Sequence, residues 1–147
     1  MIIKSNLLKD VSLKDLESLK DLDRNHFPFP WKDSNWSDSI RNTNYLLFYD
    51  PSCRGFAIYL LSPLEKLAHL LKVVVSPDFR KKGVAASILN ASYSHLRILG
   101  IERCILEVEV SNTGAIGLYL KQGYNKIHLQ KKFYSNGADA HIMEKHL

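Results

Sequence analysis

Strand-like and helix-like segments alternate along this chain, and the alternation predicts an α/β fold of mixed α+β type. Composition agrees: 147 residues, 46% hydrophobic and 24% charged, make a single globular domain spanning 1–147 with room for a real core. The most informative run is Val73 to Ala85, V-V-V-S-P-D-F-R-K-K-G-V-A, where a β-branched strand stops at Ser76-Pro77, a basic turn follows, and helical periodicity begins at Gly83.

Taken in order, Ile2 to Leu8 reads as a short strand. Ser12 then caps a helix whose Leu13, Leu16, Leu19 and Leu22 are expected to form its apolar stripe, with Asp15 in the capping-box position. Ser34 to Arg41 is a second short helix, with Trp36 and Ile40 one turn apart. Tyr45 to Tyr49 and Gly55 to Leu61 form a hairpin about Asp50-Pro51-Ser52, and Leu67 to Val75 is the central strand. Gly83 to Leu99 is an amphipathic helix stopped by Gly100, Arg103 to Glu109 a strand, and Thr113 to Gln122 a helix stopped by Gly123. Tyr124 to Lys131 and Ala138 to Lys145 are the last strands. The expectation is six to seven strands and about four helices, with no repeat or linker.

The basic turn at Arg80-Lys81-Lys82 lies just before the helix opened by Gly83. The first N–H groups of a helix lack intrahelical partners and sit at the positive end of its macrodipole, so this junction is an anion site. Gly83 allows close approach of the backbone to a ligand, and Ala85 keeps that approach unobstructed. The spacing is neither G-x-x-x-x-G-K-[ST] nor G-x-G-x-x-G. Charge is placed accordingly: residues 1–66 carry nine Lys and Arg against nine Asp and Glu, whereas residues 67–147 carry eleven against six. The excess therefore lies in the half that holds the loop, which suits a polyanionic ligand and would also suit transient approach to RNA. Cys53 and Cys104 are too few for a metal set or a disulfide framework and read as reduced thiols. With no apolar leader and no apolar stretch of about 18 residues, a cytoplasmic location and no membrane partner are expected.

The pattern P-x-x-R-x-x-G-x-A after an apolar strand resembles the acetyl-CoA loop of the GNAT acetyltransferases. A second block, L-E-V-E-V-S-N-T-G-A-I-G-L-Y-L-K-Q-G-Y from Leu106, resembles that family's L-E-V-x-x-x-N-x-x-A-x-x-L-Y-x-x-x-G-[FY]. Together with Phe27-Pro28-Phe29-Pro30-Trp31, it is similar to the ribosomal-protein alanine N-acetyltransferases (the RimI type) within that family. The resemblance implies a central, mostly antiparallel mixed sheet flanked by helices, with acetyl-CoA as cosubstrate and no metal. It also implies transfer of acetyl to a primary amine, first of all a protein or peptide N-terminus, with a ribosomal protein as a possible partner and no specific nucleic-acid binding.

The resemblance assigns roles residue by residue. Glu107 becomes the base that deprotonates the amine, and Tyr119 the acid that protonates the CoA thiolate. Val73, Val74 and Val75 offer backbone to pantetheine, with Asn112 contacting the same arm. Arg80, Lys81, Lys82, Gly83, Val84, Ala85 and Ala86 hold the pyrophosphate, and Phe29, Trp31 and Tyr134 line the acceptor groove. An α-amino group, with a pKa of about 7.7 to 8.0, demands less of its base than a lysine near 10.4. Three departures are visible. His69 stands where many members carry glutamate, and a histidine is an alternative base. In the alanine N-acetyltransferase type the L-E-V block is followed by R-x-x-Y-Y and E-D-A; here the first appears as Gln130-Lys131-Lys132-Phe133-Tyr134 and the second as Ala138-Asp139-Ala140. Two alternatives stay open: an acetyltransferase of a small amine, and a non-catalytic acyl-CoA or RNA-associated module. The second predicts loss of Glu107 or Tyr119, and both are present.

Overall fold

The computed structural model describes residues 3–147. Its strands are β1 (Lys4–Leu7), β2 (Tyr45–Tyr49), β3 (Gly55–Ser62), β4 (Leu67–Val75), β5 (Arg103–Glu109), β6 (Asn125–Gln130) and β7 (Ala140–His146). The helices are α1 (Leu13–His26), α2 (Asp33–Ile40), α3 (Val84–Ile98) and α4 (Thr113–Lys121). The seven strands form one sheet in the order β1-β2-β3-β4-β5-β7-β6. Every neighbouring pair is antiparallel except β4 and β5, which run parallel. A parallel pair needs a crossover, and α3 supplies it. The first strand is shorter than expected: Ile2 lies outside the described residues, and Leu8–Asp10 tightens into a 3₁₀ turn.

The sheet separates two cores. One packs α3, through Val84, Ile88, Leu89, Tyr93 and Leu96, against Phe48, Tyr59, Leu70 and Leu106. The other packs Leu16 and Leu19 of α1 and Trp36 of α2 against Leu47, Phe56, Ile58 and Val74. A bulge in the β3–β4 register, between Ile58 paired with Lys72 and Tyr59 paired with Leu70, leaves Leu71 as the extra residue. As a result Ala68 and Leu70 face α3, while Lys72 and Val74 face α1.

The α1 stripe differs from expectation. Leu16 and Leu19 are buried, but Leu13 is 81% exposed. A three-residue spacing falls about 60° short of a full turn at each step, so four leucines so spaced cannot share one face. The seventh residue after Leu16 returns to that face within about 20°, and it is Asp23, fully buried. Ser12 does cap α1, accepting from the Asp15 N–H at 3.2 Å. The Asp15 carboxylate accepts from the Tyr49 hydroxyl at 3.3 Å instead of completing a capping box.

The β2–β3 hairpin is stapled by Asp50. Its buried carboxylate accepts from Arg54 Nε and Nη2 and from the Arg54 backbone N–H. Those guanidinium bonds hold the Asp50 carboxyl below the usual carboxylate range. A depressed folded value means this stabilisation is present above the unfolded value of about 3.9 and is lost as pH falls through the folded one. Asp50→Asn is expected to cost about 2 kcal/mol at pH 7 in urea unfolding, with the difference shrinking below pH 4.

Candidate active site

The parallel pairing of β4 with β5 lasts only from Leu67 opposite Arg103 to His69 opposite Ile105. Beyond that point the two strands part, and the facing edge of β4 has no strand neighbour. The gap opens into a cleft of about 1100 Å³, large enough for an extended ligand plus an acceptor. One wall is the β4–α3 junction, another the start of α4, and the roof joins the α1–α2 and β6–β7 loops.

His69 and Glu107 lie on one face where the strands divide. His69 Nε2 is 2.6 Å from Glu107 Oε2, with side-chain exposures of 29% and 20%. Two residues treated from sequence as rival bases are therefore one hydrogen-bonded pair. Glu109, two residues on and on the same face, also lines the cleft, with its Oε1 accepting from the Ser111 hydroxyl.

Gly83 is the residue before α3 rather than its first helical residue, and it adopts φ +78°. That left-handed conformation favours glycine, and it turns the N–H groups of Val84, Ala85 and Ala86 outward without intrahelical partners. Lys81 also takes a positive φ and lines the cleft with Arg80. Arg80 Nε donates to the Val75 carbonyl at 3.1 Å, so that carbonyl is already engaged; Val73 and Val74 reach the cleft alongside it. Lys82 is not among the lining residues, and its ammonium lies 5.7 Å over the Phe79 ring.

Asn112 caps α4, accepting from Ala115 N–H at 3.2 Å, and borders the cleft. Gly114 and Gly117 line it on the same face of α4, and a Cβ added at either, or at Gly83, would meet nothing within 4 Å. Space is thus kept free of protein beside a row of unpartnered N–H groups and cations, which fits a phosphorylated, thiol-ended arm such as that of CoA. Tyr119 presents its phenol to the same cleft with its ring edge on Tyr124, 5.6 Å between centroids. Burial pushes that phenol well above its ordinary pKa, with the Tyr134 hydroxyl adding a smaller push.

On the acceptor side, Phe29 and Tyr134 do not stand apart as groove walls. Their rings stack, 4.5 Å between centroids and 6° from parallel, so the two loops touch above the cleft. Burial pushes the Tyr134 hydroxyl up to about 12, helped by the Glu107 and Glu109 carboxylates. Trp31 packs edge-on against Trp36 and Tyr45 while still bordering the cleft. Asp139, kept where the E-D-A pattern loses its first carboxylate, accepts from the Lys132 N–H at 2.9 Å and supports that residue's positive φ.

Against known proteins, the model of the acetyltransferase (GNAT) family matches residues 16–124. The chain belongs to that family. Among curated GNAT relatives, a [ribosomal protein bS18]-alanine N-acetyltransferase of Salmonella typhimurium is 29% identical over 143 residues, 94% of this chain and 95% of the relative. An N-alpha-acetyltransferase of Saccharolobus solfataricus is 36% identical over 95 residues, 63% of this chain, and the match spans 57% of that relative's length. The crystal structure of the Escherichia coli ribosomal-protein-S18-alanine N-acetyltransferase superposes with a TM-score of 0.82 at 24% identity, covering 99% of this chain and 94% of that one. The mixed α/β arrangement of seven strands and four helices is thus the GNAT fold. Among the described residues no helix is long and apolar enough to cross a membrane, and no group of three or more His, Cys, Asp or Glu residues is placed to hold a metal.

Two buried charged residues near the cleft, Asp23 and Lys72, follow from no motif in the sequence. Asp23 lies in the helix whose apolar stripe is read from leucines, and Lys72 in the segment read only as the central strand. The seven-residue return from Leu16 to Asp23 was the available signal for the first; only the bulge at Leu71 accounts for the second.

Proposed function

We propose that the protein transfers acetyl from acetyl-CoA to the N-terminal α-amino group of a protein, a ribosomal-protein alanine being the first acceptor to test. The observation that carries this reading is the Glu107–His69 pair at the strand fork, in one cleft with Tyr119 and under the stacked Phe29 and Tyr134 rings. Relatives that acetylate N-termini support the acceptor class.

The α3 N–H groups from Val84 to Ala86 would receive the pyrophosphate, with Lys81 and Arg80 adding charge. The β4 edge at Val73 and Val74 would pair with pantetheine amides. When bound, acetyl-CoA supplies an acetyl thioester whose carbonyl carbon is open to attack and whose sulfur can leave with the bonding pair. Only a neutral amine attacks, so Glu107 takes one proton from the incoming ammonium. His69 holds Oε2, which orients the carboxylate and leaves Oε1 for the amine. Tyr119, its phenol kept protonated by burial, delivers its proton to the sulfur as the carbon–sulfur bond breaks, and the second proton that the nitrogen sheds on becoming an amide passes to solvent, from which the phenolate is reprotonated. Closing Phe29 on Tyr134 above these groups excludes water and orders a flexible peptide end.

The position of the cations separates their expected effects. Lys81→Ala should raise the Kd for acetyl-CoA by about tenfold in calorimetry, one charge-assisted contact being lost, whereas Lys82→Ala should change it little. Equal effects of the two would assign both ammonium groups to the ligand.

The acceptor is tested by thiol release from acetyl-CoA with Ala-initiated peptides beside a panel of small amines. Peptides should be the better substrates by kcat/KM. Acetylation of a small amine with no turnover of peptides would favour the small-molecule alternative, and no turnover of either would favour the binding-module alternative.

A further inference from the structure

Beneath the acceptor roof lies a buried ion pair that the chemistry above does not use. Lys72 Nζ of β4 is 2.7 Å from Asp23 Oδ1 of α1, and each side chain is only 1% exposed. Burial pulls the Lys72 ammonium below its ordinary pKa while Asp23 pushes it back up. Removing two charges from water is costly, and such a pair often contributes nothing to stability relative to apolar residues of the same shape. Its retention therefore calls for another explanation.

The remaining side-chain hydrogen bonds and cation–π contacts of the pair all go to one segment, Phe27 to Trp31. Asp23 Oδ2 accepts from Trp31 N–H at 2.8 Å, and the Asp23 carbonyl accepts from Phe27 N–H at 3.0 Å. Lys72 Nζ donates to the Phe29 carbonyl at 3.4 Å and lies over the rings of Phe27, at 4.2 Å, and Trp31, at 4.9 Å. The segment's ends and its middle are all held by these two side chains. Phe29, at its centre, is the residue that stacks on Tyr134.

We infer that Asp23 and Lys72 are positioning residues for the acceptor: a buried charge pair that fixes the α1–α2 loop so that Phe29 meets Tyr134 over a bound peptide. This rests on the peptide-acceptor reading above. Neither residue touches the reacting atoms. Because the two charges cancel, the pair also leaves no uncompensated cation near an arriving ammonium. A small acceptor that ends before the roof has little use for the loop; a peptide that passes under it depends on the loop's placement.

The test compares two acceptors, an Ala-initiated hexapeptide and alaninamide, in the protein and in the double variant Asp23→Leu/Lys72→Met. Replacing both charges by apolar residues should leave the melting temperature within a few degrees. The peptide KM should rise by about tenfold or more, as for a misplaced binding element, while KM for alaninamide and for acetyl-CoA stays within about twofold. Should the double variant fail to fold, Asp23→Asn serves. It keeps a carbonyl for Trp31 N–H, removes the charge that holds Lys72, and should give the same selective rise. Parental peptide KM in a folded variant, or equal rises for both acceptors, overturns the inference alone. Failure of the unsubstituted protein to acetylate any peptide overturns the acceptor reading and this inference with it.

Discussion

Replacing Glu107 by Gln is expected to lower kcat for peptide acetylation by about 10²- to 10⁴-fold, the usual consequence of losing a general base. The shape is retained and the His69 contact is partly kept, so folding and acetyl-CoA affinity should be near parental. The deficit should shrink as pH approaches and passes the peptide's own α-amino pKa of about 7.7 to 8.0, because the amine then arrives neutral. His69 is 2.6 Å away, so the two residues should not act additively. His69→Gln should slow the Glu107 enzyme, yet add little to a protein already carrying Glu107→Gln. A pH-independent deficit, or full activity in Glu107→Gln with none in His69→Gln, would move the base to the histidine.

Tyr119→Phe carries the second large effect, again about 10²- to 10⁴-fold in kcat. Loss of a proton donor for the departing sulfur should leave the Kd of acetyl-CoA and the ring contact with Tyr124 almost unchanged. The pH dependence separates this role from that of Glu107. Burial raises the Tyr119 phenol, so the group stays protonated through and beyond the ordinary tyrosine range. The unsubstituted protein should therefore show no loss of kcat up to about pH 10. A fall in kcat between pH 8 and 9 would mean that another group donates the proton.

Much of this architecture was legible because local and tertiary demands coincide. Leu67 to Val75 has the length and β-branching of a strand, and Gly83 and Gly100 take positive φ on either side of α3. Asn112 is both an N-cap and a cleft residue, since the loop that starts α4 also borders the gap beyond β5. What escaped notice depends on contacts distant in sequence. No pattern near Leu71 announces a bulge, yet that one extra residue turns Lys72 from the α3 face to the α1 face and brings it to Asp23, 49 positions away. Likewise, strand periodicity could place Glu107 on a face but not reveal His69 beside it, which follows from a parallel register of only three residue pairs. Lys82 looked equivalent to Lys81 in the basic run. The left-handed turn at Lys81 directs that side chain to the cleft and leaves Lys82 over Phe79.

The acceptor reading is tested most directly by locating the transferred acetyl group within one molecule. A peptide that begins with a free alanine and carries an internal lysine, incubated with acetyl-CoA and the protein near pH 7.5, offers both amines at equal concentration. Fragment-ion mass spectrometry should find the acetyl group on the alanine α-nitrogen, with the lysine unmodified and the same product absent with Glu107→Gln. Acetyl on the lysine side chain, or equal labelling with and without Glu107, would contradict the account.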